Sequence, residues 1–101
     1  MIIVKATYGV KEDYIATNKQ NINTFLQDFR RLGDDFKYTV YSNGGTFVHL
    51  SHFKNEAIQA IVLATPSFKA FQQARDASGL IIPHQIEVLS LEGSTAEIFV
   101  H

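Results

Sequence analysis

The 101-residue chain has no cysteine, no tryptophan, one methionine and two prolines. Without cysteine there is neither a disulfide framework nor a thiolate metal site, and a reducing compartment is compatible with the composition. No charge run exceeds Asp34-Asp35, and the formal net charge is −1. That leaves no basic patch of the kind nucleic acids select, so no nucleic-acid partner is expected. No apolar run approaches the roughly 20 residues of a membrane helix, so no membrane association is expected. Lys5 comes too early in MIIVKATYGV for the apolar core of a secretory signal. A cytoplasmic protein is the resulting expectation. Gly44-Gly45 is not followed by a helical pattern, so it is not a phosphate-cradling loop. No nucleophile elbow or Ser-His-Asp set can be assembled.

Hydrophobic residues make up 46% of the chain, enough for a packed core,. The length suits one domain spanning residues 1–101. The chain is organised around FKYTVYSNGGTFVHLSHF, residues 36–53. Ser-Asn-Gly-Gly at 42–45 tolerates the positive φ of a two-residue hairpin loop, and the flanks are rich in β-branched and aromatic residues. With the loop at Asn43-Gly44 or Gly44-Gly45, even positions of the first strand share a face with odd positions of the second. One face then carries Phe36, Tyr38, Val40, Phe47, His49, Ser51 and Phe53. The other carries Lys37, Thr39, Tyr41, Thr46, Val48, Leu50 and His52. A sheet with one solvated face alternates cleanly. This hairpin has apolar residues to cover on both sides.

Residues 1–8 alternate as a first strand ended by Gly9. Residues 12–32 predict a long helix: Ile15, Ile22, Phe25, Leu26, Phe29 and Leu32 form one stripe, and Gly33 is a natural C-terminal cap. Asn18 falls on that stripe. It either bonds water or a loop at the stripe's edge or turns a polar group toward a pocket. Residues 56–63 predict a short helix. Thr65-Pro66 predicts a second helix start, with a hydroxyl N-cap and proline at the first position, and that helix runs to about Ala77. Residues 85–92 predict the fourth strand, and residues 96–100 (AEIFV) a short last strand or arm.

The resulting order, β-α-β-β-α-β, is the α+β ferredoxin-like pattern with an extra C-terminal strand. Right-handed crossovers put both helices on one face of an antiparallel sheet. Apolar residues on the other face predict a homodimer in which two sheets pack face to face as a dimeric α/β barrel.

With this order and the stretch FKNEAIQAIVLATPSFKAF (53–71), the chain resembles the antibiotic-biosynthesis-monooxygenase-like group of the dimeric α/β barrel proteins. The resemblance rests on Glu56-Ala57, Ala64-Thr65-Pro66 and Phe68-Lys69-Ala70-Phe71. It implies a small cofactor-free monooxygenase or isomerase acting on an apolar or aromatic, quinol-like molecule. The sequence departs from the group's pattern at Val62 and Ser67, where the group carries histidines, and at Ser51, where it carries glutamate.

Of the four histidines, His49 and His52 have opposite parity and point to opposite faces, so they cannot share a metal, and none is expected. His49 lies on the more aromatic face near Tyr38. It is either a core histidine bonded to a tyrosine or a general base or ligand anchor, with Tyr38 as hydroxyl donor. A pocket would draw on Asn18, Phe36, Phe47, Ser51 and His84. His101 is terminal. No cofactor is expected. Besides the enzyme, a non-catalytic ligand-binding dimer and a purely structural protein with a filled core remain open.

Overall fold

The computed structural model describes residues 1–99. Four strands form one antiparallel sheet: β1 (Ile2–Gly9), β2 (Phe36–Asn43), β3 (Thr46–Phe53) and β4 (Ile82–Leu89), in the order β2-β3-β1-β4. Three helices lie between them: α1 (Ile15–Phe29), α2 (Glu56–Leu63) and α3 (Pro66–Ala77). This is the ferredoxin-like α+β arrangement, with α2 and α3 together forming the second crossover.

The hairpin loop is Gly44-Gly45, since Asn43 pairs with Thr46. Gly44 supplies a φ of 60°, in the left-handed region that costs other residues energy. From there the pairs run Val40↔His49, Tyr38↔Ser51 and Phe36↔Phe53. On β3, Phe47, His49, Ser51 and Phe53 are buried, while the intervening residues are only half-buried. The buried set faces the helices.

α1 buries Asn18, Ile22, Phe25 and Phe29, spaced 4, 3 and 4 apart along one face,. Phe25 of α1 meets Phe71 and Phe68 of α3 at centroid distances of 4.9 and 5.1 Å. These rings join Tyr8, Val10, Phe47 and Phe53 in one core. The opposite face carries Tyr41 (58% exposed) and half-buried Val48 and Leu50.

Several boundaries differ from the sequence expectation. The helix expected over residues 12–32 opens with a single 3-10 turn, Glu12–Tyr14, and ends at Phe29. The turn beyond it tightens, with Arg31 N bonding Asp28 O and Leu32 N bonding Phe29 O, before Gly33 reverses the chain at φ 101°. Thr65 does not cap α3: its hydroxyl donates to Val62 O at 2.7 Å, tying it back to α2. Asn55, expected only as a turn residue, is a true N-cap, accepting from Ile58 N at 2.9 Å. β4 begins three residues early and contains Pro83. An edge strand tolerates proline because its outer N–H needs no ladder partner.

Residues 90–99 contain no helix or strand. The extra strand expected over 96–100 is therefore not formed at residues 96–99, and Val100 lies outside the described residues. Among the described residues, no backbone partner runs alongside residues 96–99, and β2 and β4 are the edge strands of the sheet. Among the described residues, no helix is long and apolar enough to cross a membrane.

Candidate functional site

The register brings three polar side chains into a row on the helix-facing side of the sheet. His49 on β3 lies opposite Val40 on β2 and Ala6 on β1. Tyr38 and Tyr8 occupy the diagonal positions on either side, within reach of long aromatic side chains. Ala6 leaves room for the imidazole. Tyr8 Oη lies 2.8 Å from His49 Nε2, and Tyr38 Oη lies 2.8 Å from His49 Nδ1. Asn18 of α1 closes the row, its Nδ2 donating to Tyr8 Oη at 3.0 Å.

Proton counting sets the direction of these bonds. Tyr8 is fully buried. With Asn18 donating to it, its own hydrogen goes to His49 Nε2. The imidazole hydrogen then sits on Nδ1 and is donated to Tyr38 Oη. The Asn18 Oδ1 is left without a partner. Turning the amide over would instead bury both of its N–H hydrogens unpaired, and orphaned donors are the rarer case. The hydrogen of Tyr38 consequently has no acceptor among the described residues and is free for a bound molecule.

Burial governs the protonation states. It is the main cause that lowers the pKa of His49 to about 3, aided by the charge of Arg75 and by His84. Burial likewise raises Tyr8 to about 12, against the hydrogen bond from Asn18 and the charge of Arg75. Tyr38 is also raised, by burial first and by Tyr8 second. The row is thus neutral at pH 7.

Tyr38, His49 and Ser51 form the floor of a cavity of about 100 Å³ between the sheet and α2 and α3. Leu63, Phe68 and Phe71 wall it on the helix side, and Gln72, Arg75, His84 and Ile86 line it toward β4. There the helices do not cover the sheet: Ile86 and Val88, on the same face as Ala6 and Val4, are 62% and 76% exposed. This uncovered strip is the cavity's mouth. His84 makes no side-chain hydrogen bond to any described residue. Burial and the charge of Arg75 lower its pKa, with Asp76 acting the other way.

The residues singled out in the sequence divide. Tyr38, His49, Ser51 and His84 converge on this cavity. Ser51 is occupied by a bond to Val4 O at 3.3 Å. Asn18 takes neither anticipated role: it is fully buried and supports Tyr8. Phe36 and Phe47 belong to the packed core and border shallow clefts elsewhere. Sequence reasoning missed Tyr8, Arg75, Gln72 and Gln59, the last of which lines the cavity from α2. Tyr8 is separated from His49 by 41 positions, so only the β1–β3 register reveals the pair. No group of three or more metal-ligating side chains occurs among the described residues.

The fold and the placement of this cavity define an α+β protein with a pocket between sheet and helices. Solved structures share that fold. An antibiotic biosynthesis monooxygenase superposes with a TM-score of 0.80 at 17% identity, covering 92% of this chain and all of that one. A Deinococcus radiodurans protein to which the same activity is attributed gives 0.77 at 18% identity, covering 96% of this chain and 98% of its own. A conserved protein from Methanosarcina mazei gives 0.75 at 18% identity, covering 87% and 89%. At these identities the likeness establishes the fold. No family model matches the chain, and no curated protein matches it.

Proposed function

We propose that the cavity binds a small apolar or aromatic, quinol-like molecule and that the protein acts on it as a monooxygenase or isomerase without a cofactor. The observation that carries this reading is the Tyr38 hydroxyl at the cavity floor, 2.8 Å from His49 Nδ1, with Leu63, Phe68 and Phe71 walling the cavity on the helix side. A phenol fixed by His49 is a preorganised donor for an oxygen on which negative charge develops. His49 borders the cavity, but tyrosines hold both of its ring nitrogens, so its part is to position Tyr38. The base is His84, an unbonded, neutral imidazole in the cavity lining.

In the oxygenase case, His84 takes the phenolic O–H proton, and Tyr38 stabilises the phenolate oxygen. The phenolate gives an electron pair to dioxygen through the neighbouring ring carbon, which forms a C–OOH bond. The O–O bond then breaks as that carbon loses its hydrogen: one oxygen atom stays on it as a carbonyl, and the other leaves as water with the hydrogens of the O–H and the C–H. In the isomerase case the proton returns to a different carbon and no oxidant is consumed. The name of the first structural neighbour above supports the oxygenase case.

Oxygen uptake and product analysis with a panel of single-ring quinols and hydroxylated arenes test the reading. Turnover is expected to fall by about 10²-fold or more in Tyr38→Phe and in His84→Ala. Absence of turnover with every substrate, or turnover indifferent to both changes, would overturn it. A non-catalytic binding protein is the second reading, favoured by the commitment of both His49 nitrogens to tyrosines. It is supported if calorimetry finds binding without conversion.

The uncovered sheet face supports a further element of this reading: two copies associate through it as a face-to-face barrel. Tyr41, Val48 and Leu50 supply apolar surface there that a lone subunit leaves in water,.

A further inference from the structure

Arg75, at the C-terminal end of α3, has a use that the tyrosine–histidine row does not supply. It is 5% exposed. Its guanidinium carbon stacks 5.1 Å from the Tyr8 ring centroid and 5.4 Å from that of Phe71. Its Nε donates to Asp76 Oδ1 at 3.0 Å, and the Asp76 side chain is 61% exposed. The two terminal nitrogens have no hydrogen-bond partner among the described residues. Arg75 lines the cavity, and no aspartate or glutamate does. A cation removed from water is costly unless it is paired. Stacking on two rings and a single bond to an exposed carboxylate offset part of that cost. The remaining fork of donors belongs to a residue that lines the cavity.

Resting on the pocket reading above, we infer that the ligand of this cavity is a small aromatic monocarboxylate, its carboxylate held by the terminal nitrogens of Arg75 and its ring lying against Phe68 and Phe71. A guanidinium offers parallel N–H groups matched to the two oxygens of a carboxylate. The size of the site limits the rest of the molecule. A dry cavity of about 150 Å³ holds a benzene, and this cavity, of about 100 Å³, is smaller but open toward β4. It takes no more than one ring, with the charged group toward the β4 mouth, and a fused polycyclic body does not fit.

Calorimetric titration of the full chain with benzoate, benzamide and phenol tests the inference, alongside NMR observation of the Arg75 Nε–H resonance. Benzoate is expected to bind at least about tenfold more tightly than benzamide and to shift that resonance. Arg75→Met is expected to abolish the preference while retaining benzamide binding. Arg75→Lys, which keeps the charge and loses the fork, is expected to fall between the two. Equal affinities for benzoate and benzamide in the wild type overturn the inference and leave the pocket reading intact. So does a benzoate preference that survives in Arg75→Met. Failure of all three probes to bind the wild type overturns both. The wild-type comparison stands even if Arg75→Met does not fold.

Discussion

His49 is a buried imidazole whose two nitrogens are both spoken for, and this explains its chemistry better than its position in a pocket does. Removing the Tyr8 hydroxyl strands His49 Nε2 and Asn18 Nδ2 in the interior. Tyr8→Phe is therefore expected to cost about 1–3 kcal/mol in urea denaturation, the penalty of unpaired buried polar groups. Its effect on the Tyr38 end of the row should be small, because Nδ1 keeps its own bond. The pH dependence follows from the same burial. Unfolded histidine titrates near 6.5, and in the fold His49 titrates at about 3. Below pH 6.5 the unfolded chain takes up a proton that the fold refuses. Stability is thus fully present above about pH 6.5 and is lost as pH falls toward 3, by up to about 1.4 kcal/mol per pH unit. Arg75 from α3 and His84 from β4 act in the same direction. Denaturation curves at pH 7 and pH 5 should show the loss, and His49→Gln should reduce it. A stability profile flat between those values would refute the assignment. The Tyr38–His49 pair was readable from hairpin parity, since a tight turn dictates which residues share a face. Arg75 gave only part of its signal: helical spacing puts Ala74 or Arg75 on the stripe of Phe68 and Phe71, and the structure buries Arg75,, but nothing in the spacing says that it lines a cavity.

At the scale of elements, local rules predicted which segments form helices and strands better than they predicted how those segments end. Asn55 and Thr65 both precede a helix, yet only Asn55 bonds the first turn. Asn55→Ala is expected to cost about 1 kcal/mol, the usual worth of an N-cap. Thr65→Ala is expected to cost less, because the carbonyl it bonds, Val62 O at the end of α2, also accepts from the Thr65 backbone N–H. Thermal or chemical denaturation of the two variants compares them directly, and a larger loss at Thr65 would contradict the assignment. The long helix stops at Phe29 although Leu32 continues the apolar stripe. Leu32 is 41% exposed, so periodicity alone overran the point at which core contact ends. Pro83 concealed the start of β4, because proline counts against a strand until its edge position is known.

For the whole molecule, the sheet divides two environments. One face is closed by α1 and α3 around the aromatic core and holds the cavity at its β4 side. The other bears Tyr41, Val48 and Leu50 among polar residues. If two copies meet there, sedimentation equilibrium at micromolar concentration should return roughly twice the 11.3 kDa chain mass. Leu50→Glu should then shift the population to monomer, because it places an unpaired charge in the interface. An 11.3 kDa species for the wild type would refute the association.

The sequence by itself determined the order of the elements from β1 to β4, the hairpin and its parity, and the absence of a disulfide scaffold. Each follows from interactions between near neighbours: turn chemistry, side-chain periodicity, residue composition. Only the tertiary structure decided which sheet face the helices cover, that Asn18 supports Tyr8, and that Arg75 borders the cavity with its terminal nitrogens open. Those outcomes depend on contacts between residues such as Tyr8 and His49, which lie far apart in the chain. Their register is set by how the whole sheet closes against its helices.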